Sequence, residues 1–91
     1  MADKFVKLKS VARPEHEQMV IYGILRSYKR LPERERERIR ELCGEIGGEW
    51  AAVLLRFLTT GQSFSAAVQR SHVPEGKLRS MRGEVYRRWE L

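Results

Sequence analysis

From Pro14 onward the apolar residues recur at steps of three and four, the spacing of a helix that buries one face. Met19, Val20, Ile24, Leu25 and Tyr28 predict a first helix over 14–30, opened by Pro14 with Glu15 and Glu17 in its first turn. Pro32 ends that helix and opens a second over 32–46, whose stripe is Ile39, Leu42, Cys43 and Ile46. Gly44, Gly47 and Gly48 are expected to end it, because glycine reaches the left-handed conformation that follows many helices. Trp50, Val53, Leu54, Leu55, Phe57 and Leu58 predict a third helix over 49–60, apolar enough to be central.

After Gly61, Ser63 is placed to cap a short fourth helix that turns Phe64, Ala67 and Val68 inward and runs through His72. Val73 and Pro74 form the turn, and Leu78, Met81, Val85 and Trp89 make the apolar side of a last helix. Lys77, Arg79, Ser80, Arg82, Gly83, Arg87 and Arg88 fall on its other sides, with Tyr86 at the edge of that basic face. The expected fold is all-α, a compact bundle of about five short helices with a C-terminal helix-turn-helix. A chain of 91 residues supports one core, so residues 14–91 are read as a single helical domain with the helix-turn-helix at 63–90. Residues 1–13 are read as a basic arm.

Composition narrows the class. With 42% hydrophobic residues and three prolines the chain is too apolar to be disordered. The net charge is +6, and its placement is informative: residues 1–13 carry +3, residues 14–60 are neutral, and residues 61–91 carry +3. Such a surplus attracts phosphate polymers. The alternation "ERERERIREL" after Pro32 has no net charge and reads as a solvated helix end. The N-terminus lacks the apolar core of a signal peptide and no stretch is long enough to span a bilayer, so a cytoplasmic protein without membrane contact is expected.

Catalysis is not expected. Cys43 is the single cysteine, which excludes an internal disulfide, and with His16 and His72 it makes three scattered candidates, which argues against a metal site; Cys43 reads as a buried thiol. No phosphate loop or nucleophile-and-base pair stands at motif spacing, so neither a cofactor nor an active site is expected. Trp50 and Trp89 keep helical step with Val53, Leu54, Met81 and Val85, which assigns them to core packing over base stacking.

Helix, short turn and a second helix with a basic outer side is the arrangement in which the second helix enters the DNA major groove. The stretch "LLRFLTTGQSFSAAVQRSHVPEGKLRSMRGEVYRRW", Leu54 to Trp89, resembles region 4 of bacterial sigma factors and small phage-type regulators of the ArpU kind. Leu55, Arg56, Phe57, Gly61, Ser63, Phe64, Val68, Val73, Gly76 and Leu78 carry the pattern. Two departures stand out: His72 replaces the small residue before the turn, and Pro74 replaces the Ser or Thr that opens the second helix.

The resemblance implies a sequence-specific DNA-binding protein, a small phage-type or mobile-element transcriptional regulator that binds double-stranded DNA without catalysis. Lys77, Arg79, Ser80 and Arg82 would then approach base edges, and Arg70, His72, Arg87 and Arg88 would touch phosphates. A homodimer and a contact with RNA polymerase are the expected protein partners. The alternative is a small helical adaptor in a transcription or phage complex, binding through the first two helices; RNA is a third candidate partner. For the arm, Lys4 to Arg13, three readings stand: a frayed terminus, a segment lying along phosphates or in a minor groove, and a strand pairing with another chain through "KFVKLK".

Overall fold

The computed structural model describes residues 5–91. It is helical, with no strand among the described residues. In chain order the helices are α1 (Glu15–Arg26), α2 (Glu33–Gly47), α3 (Ala51–Thr59), α4 (Phe64–Ser71) and α5 (Glu75–Arg88). A 3-10 turn over Tyr28–Arg30 follows α1, and another over Gly48–Trp50 is all that separates α2 from α3.

Proline opens three of these helices, Pro14, Pro32 and Pro74 each standing at the cap position, where no amide is needed for the ladder. Ser63 opens α4 by accepting a hydrogen bond from the Ala66 amide at 3.1 Å. Of the three glycines expected to end α2, only Gly48 takes a positive φ, at 54°. Gly44 and Gly47 lie within the helix, because one left-handed residue suffices to turn the chain.

α3 is the hub and touches α1, α2, α4 and α5. Its Leu54 is fully buried, with Phe57 and Leu58 beside it and Ile39, Cys43, Leu78, Met81 and Val85 packed around. Burying side chains of this size contributes about 1.5–3 kcal/mol each. α1 is tied to the end of this hub: the Arg26 guanidinium donates to the Leu58 carbonyl at 2.7 Å, satisfying a last-turn acceptor that the helix leaves open. On the exposed start of α2, Glu33 accepts from Arg36 at 2.7 Å and from Arg40 at 2.6 Å. Those two bonds, Arg36 first, hold its carboxyl below the ordinary value.

α1 departs from its expected face. Met19 and Val20 are about half exposed, whereas Gln18, Ile21 and Leu25 are buried. The reason lies in the N-terminal segment. The Leu8 amide donates to Gln18 Oε1 at 2.8 Å, and Gln18 Nε2 donates to the Arg13 carbonyl at 2.9 Å, with the Leu8 and Val11 carbonyls at 3.3 and 3.4 Å. Val11 is 2% exposed, and the Arg13 guanidinium reaches the Trp89 carbonyl at 2.6 Å. Residues 5–13, expected as a basic arm, thus pack onto α1 and the end of α5; Lys4 lies outside the described residues.

Candidate nucleic-acid interface and an adjoining cationic cleft

α4 and α5 are joined by three residues with distinct duties. His72 takes the left-handed conformation, φ 62° and ψ 20°, which reverses the chain after Ser71. Val73 turns inward and is 1% exposed, and Pro74 starts α5. The imidazole of His72 remains exposed at the turn.

α5 buries more of its circumference than periodicity predicts. Leu78, Met81, Val85 and Tyr86 are buried; Tyr86, expected at the edge of the basic face, is 4% exposed because it faces α3 and the N-terminal segment. Gly83 is covered by the guanidinium of Arg87, so closely that a Cβ there would lie 3.3 Å from Arg87 Nη1. Gly76, Lys77 and Ser80 are exposed on the outer side.

The residues expected to approach base edges separate into two groups. Lys77 and Ser80 are open to solvent. Arg79 is exposed but leans to the flank: it pairs with Glu75 at 3.0 Å, and its guanidinium lies 5.2 Å from the Phe64 ring centre. Arg82 corrects its assignment to an outward face, since it is half-buried and its guanidinium lies 5.3 Å from Phe64 and 5.9 Å from Phe57. Burial, with a smaller contribution from the neighbouring Arg79 charge, holds Arg82 below the usual arginine range, while Tyr86 acts in the opposite direction. Its Nε is buried with no hydrogen-bond partner among the described residues.

The expected phosphate contacts also divide. Arg70 is exposed on α4 and shares a shallow groove with Arg56, Thr60 and Gln62. Arg87 is held by Glu84 at 3.1 Å and reaches the Ser10 carbonyl at 3.4 Å. Arg88 is paired with Glu45 of α2 at 2.7 Å. At about 100° per residue, Arg88 projects about 180° from Arg79 around α5, so one surface cannot use both.

Between the N-terminal segment, α1, the end of α3, the start of α4 and the flank of α5 lies a cleft of about 500 Å³. Lys7, Lys9, Arg26, Arg79 and Arg82 line it, and among the described residues no carboxylate does. Glu75 reaches it only by pairing with Arg79. Arg26 is partly committed, bonded to Leu58 and lying 4.8 Å over the Tyr22 ring. Arg26 and Arg56 were not expected as contact residues: Arg26 reads as one cation near the end of a helix, and Arg56 entered only through the pattern that Leu54 to Trp89 resembles. A second hollow, between α1, α2 and the C-terminus, is of mixed charge: Glu35, Glu41, Glu45 and Glu90 line it together with Arg38 and Arg88.

No family model, curated protein or solved structure matches the chain.

Proposed function

We propose that the chain is a DNA-binding protein whose α4 and α5 act as a helix-turn-helix, α5 entering the major groove by its N-terminal half. The observation that carries the reading is the turn. A left-handed His72, a buried Val73 and the immediate start of α5 leave Gly76, Lys77 and Ser80 outward on the first turns of the second helix. In this motif the N-terminal residues of the second helix meet base edges. Lys77 and Ser80 supply donors for base acceptors, and Gly76 adds no side chain to hold the backbone away. Arg79 serves at the flank, and Arg70 and Arg56 serve phosphates on the α4 side. Arg82 supports α5 from behind. Arg87 reaches back to the Ser10 carbonyl and Arg88 projects about 180° from Arg79 toward Glu45 of α2, so both drop out of the contact set. Binding involves no catalysis, and the regulator is of the phage-type kind that the stretch Leu54 to Trp89 resembles.

Binding to random duplex DNA, followed by fluorescence anisotropy over a salt series, tests this. Affinity should fall with salt at a slope of about −0.9 per phosphate contact. Lys77→Glu with Ser80→Glu should abolish binding with the helical signal unchanged. Wild-type affinity in that double variant would remove α5 from the interface.

One observation favours a protein partner as a second reading: Met19 and Val20 of α1 are 52% and 49% exposed on adjacent positions. Such a pair suits a contact with a second copy or with a transcription component such as RNA polymerase. Sedimentation of the wild type against Val20→Glu separates these: a dimer lost in the variant identifies self-association through α1.

A further inference from the structure

We infer that the cleft beside α5 is a binding site for a small phosphate-bearing ligand with a flat apolar body, of the class of nucleoside monophosphates. The cleft adjoins the duplex face, sharing Arg79 with it, and does not depend on it. Three observations lead there. First, the charge in the cleft is one-signed: Lys7, Lys9, Arg79 and Arg82 converge from the N-terminal segment and α5 with no lining carboxylate among the described residues. A concave surface of one sign focuses its field and concentrates counter-ions of the other.

Second, Arg82 is an incompletely used fork. Its guanidinium lies against Phe57 and Phe64, and its Nε–H is buried with no acceptor among the described residues. A buried donor left unmade is costly, and a planar guanidinium matches two oxygens of a phosphate at once. Contact with the two rings, which meet edge to face, restrains the guanidinium, so less side-chain freedom remains to be lost on binding. Burial depresses the proton affinity of Arg82, and an anion in the cleft would oppose that depression.

Third, part of the wall is apolar: Val6, Leu8, Leu58 and the Tyr22 ring line the cleft among the cations, Arg26 lying over that ring, with Ser63 and Gln62 at the α4 side. An inorganic anion would leave that wall wet. A body of a few fused rings would cover it, and about 500 Å³ lies within the range of small-molecule sites. A duplex is excluded by size, because about 500 Å³ bounded by five elements cannot admit a double helix.

Titration of the full chain with adenosine monophosphate, inorganic phosphate and adenosine, followed by amide chemical shifts, is the test. The expected result is shifts confined to Leu8, Ser10, Gln62, Ser63 and Phe64, with adenosine monophosphate at least tenfold tighter than either of its parts. Arg82→Gln should weaken binding at least tenfold. Because Arg82 also packs in the core, Lys7→Gln with Lys9→Gln is the second variant; both lysines are exposed, and its expected loss is several-fold. Lys77→Glu with Ser80→Glu should bind the nucleotide like the wild type while failing on duplex DNA. No shifts with adenosine monophosphate, shifts centred on Lys77 and Ser80, equal affinity for phosphate and nucleotide, or unchanged affinity in the lysine variant would each overturn the assignment.

Discussion

Gln18 and Leu8 form the joint between the N-terminal segment and the helical body: the Leu8 amide donates to Gln18 Oε1 at 2.8 Å, with the glutamine 0% exposed. A side-chain amide carries both an acceptor and two donors, so one buried residue can serve an amide on one side and carbonyls on the other. Here those carbonyls belong to Leu8, Val11 and Arg13. The glutamine is therefore the template on which residues 8–13 fold.

Replacing Gln18 with Ala strands those backbone groups in a buried place. The expected cost is about 2–3 kcal/mol. Urea denaturation measures it, and hydrogen exchange locates it: the Leu8 amide should lose its protection while α3 amides keep theirs relative to the global transition. Equal protection of Leu8 in variant and wild type would contradict the joint.

The neighbouring glycines Gly47 and Gly48 should respond oppositely to alanine. At Gly47 a Cβ would meet Leu54, Ala51 and Met81 at 3.6–3.7 Å, ordinary contact, so Gly47→Ala should stabilise the protein by about 0.5–1 kcal/mol. Gly48 sits at φ 54°, so Gly48→Ala should cost about 1–2 kcal/mol. Thermal denaturation of the two single variants compares the signs directly.

His72 also has a positive φ, and with ψ 20° it sits in the left-handed helical region at the α4–α5 turn with a side chain attached. His72→Gly should raise stability by up to about 1 kcal/mol, and His72→Val should lower it by about 1–2 kcal/mol, since branching at Cβ clashes most in that conformation. Denaturant midpoints at neutral pH decide it. A stabilised Gly variant with weakened DNA binding would assign the imidazole to a phosphate.

Burial pushes the Cys43 thiol from 9.0 up to about 12. Below about pH 9 the thiol is protonated in both folded and unfolded chains. Between 9 and 12 the unfolded chain releases the proton and the folded chain retains it, so this contribution to stability is lost as pH rises through that window. Urea midpoints at about pH 8 and about pH 10.5 should diverge more for the wild type than for Cys43→Ala. The thiol, 1% exposed, should react with a disulfide reagent only at the rate of opening.

Much of the architecture was legible locally. The prolines before α1, α2 and α5, the serine cap of α4 and the dense apolar run of α3 act within a turn or two of themselves, and the helices begin and end close to where those signals lie. α1 shows where such reading stops. Its sequence offers two overlapping apolar faces, and nothing in Met19, Val20, Ile21 and Ile24 says which one a neighbour will cover. The inward face is chosen by Gln18, a polar residue whose burial is affordable only because a distant segment supplies its hydrogen-bond partners.

The candidate site divides in the same way. Sequence by itself determined an all-helical chain, its central apolar helix, its basic ends and the outward placement of Lys77 and Ser80, because periodicity and charge are properties of neighbouring residues. Only the tertiary structure decided that Arg82 turns to Phe57 and Phe64, that Arg88 is taken by Glu45, and that Lys7 and Lys9 stand across a cleft from α5. Those pairings join residues far apart along the chain, and their geometry exists only once packing has brought the segments together.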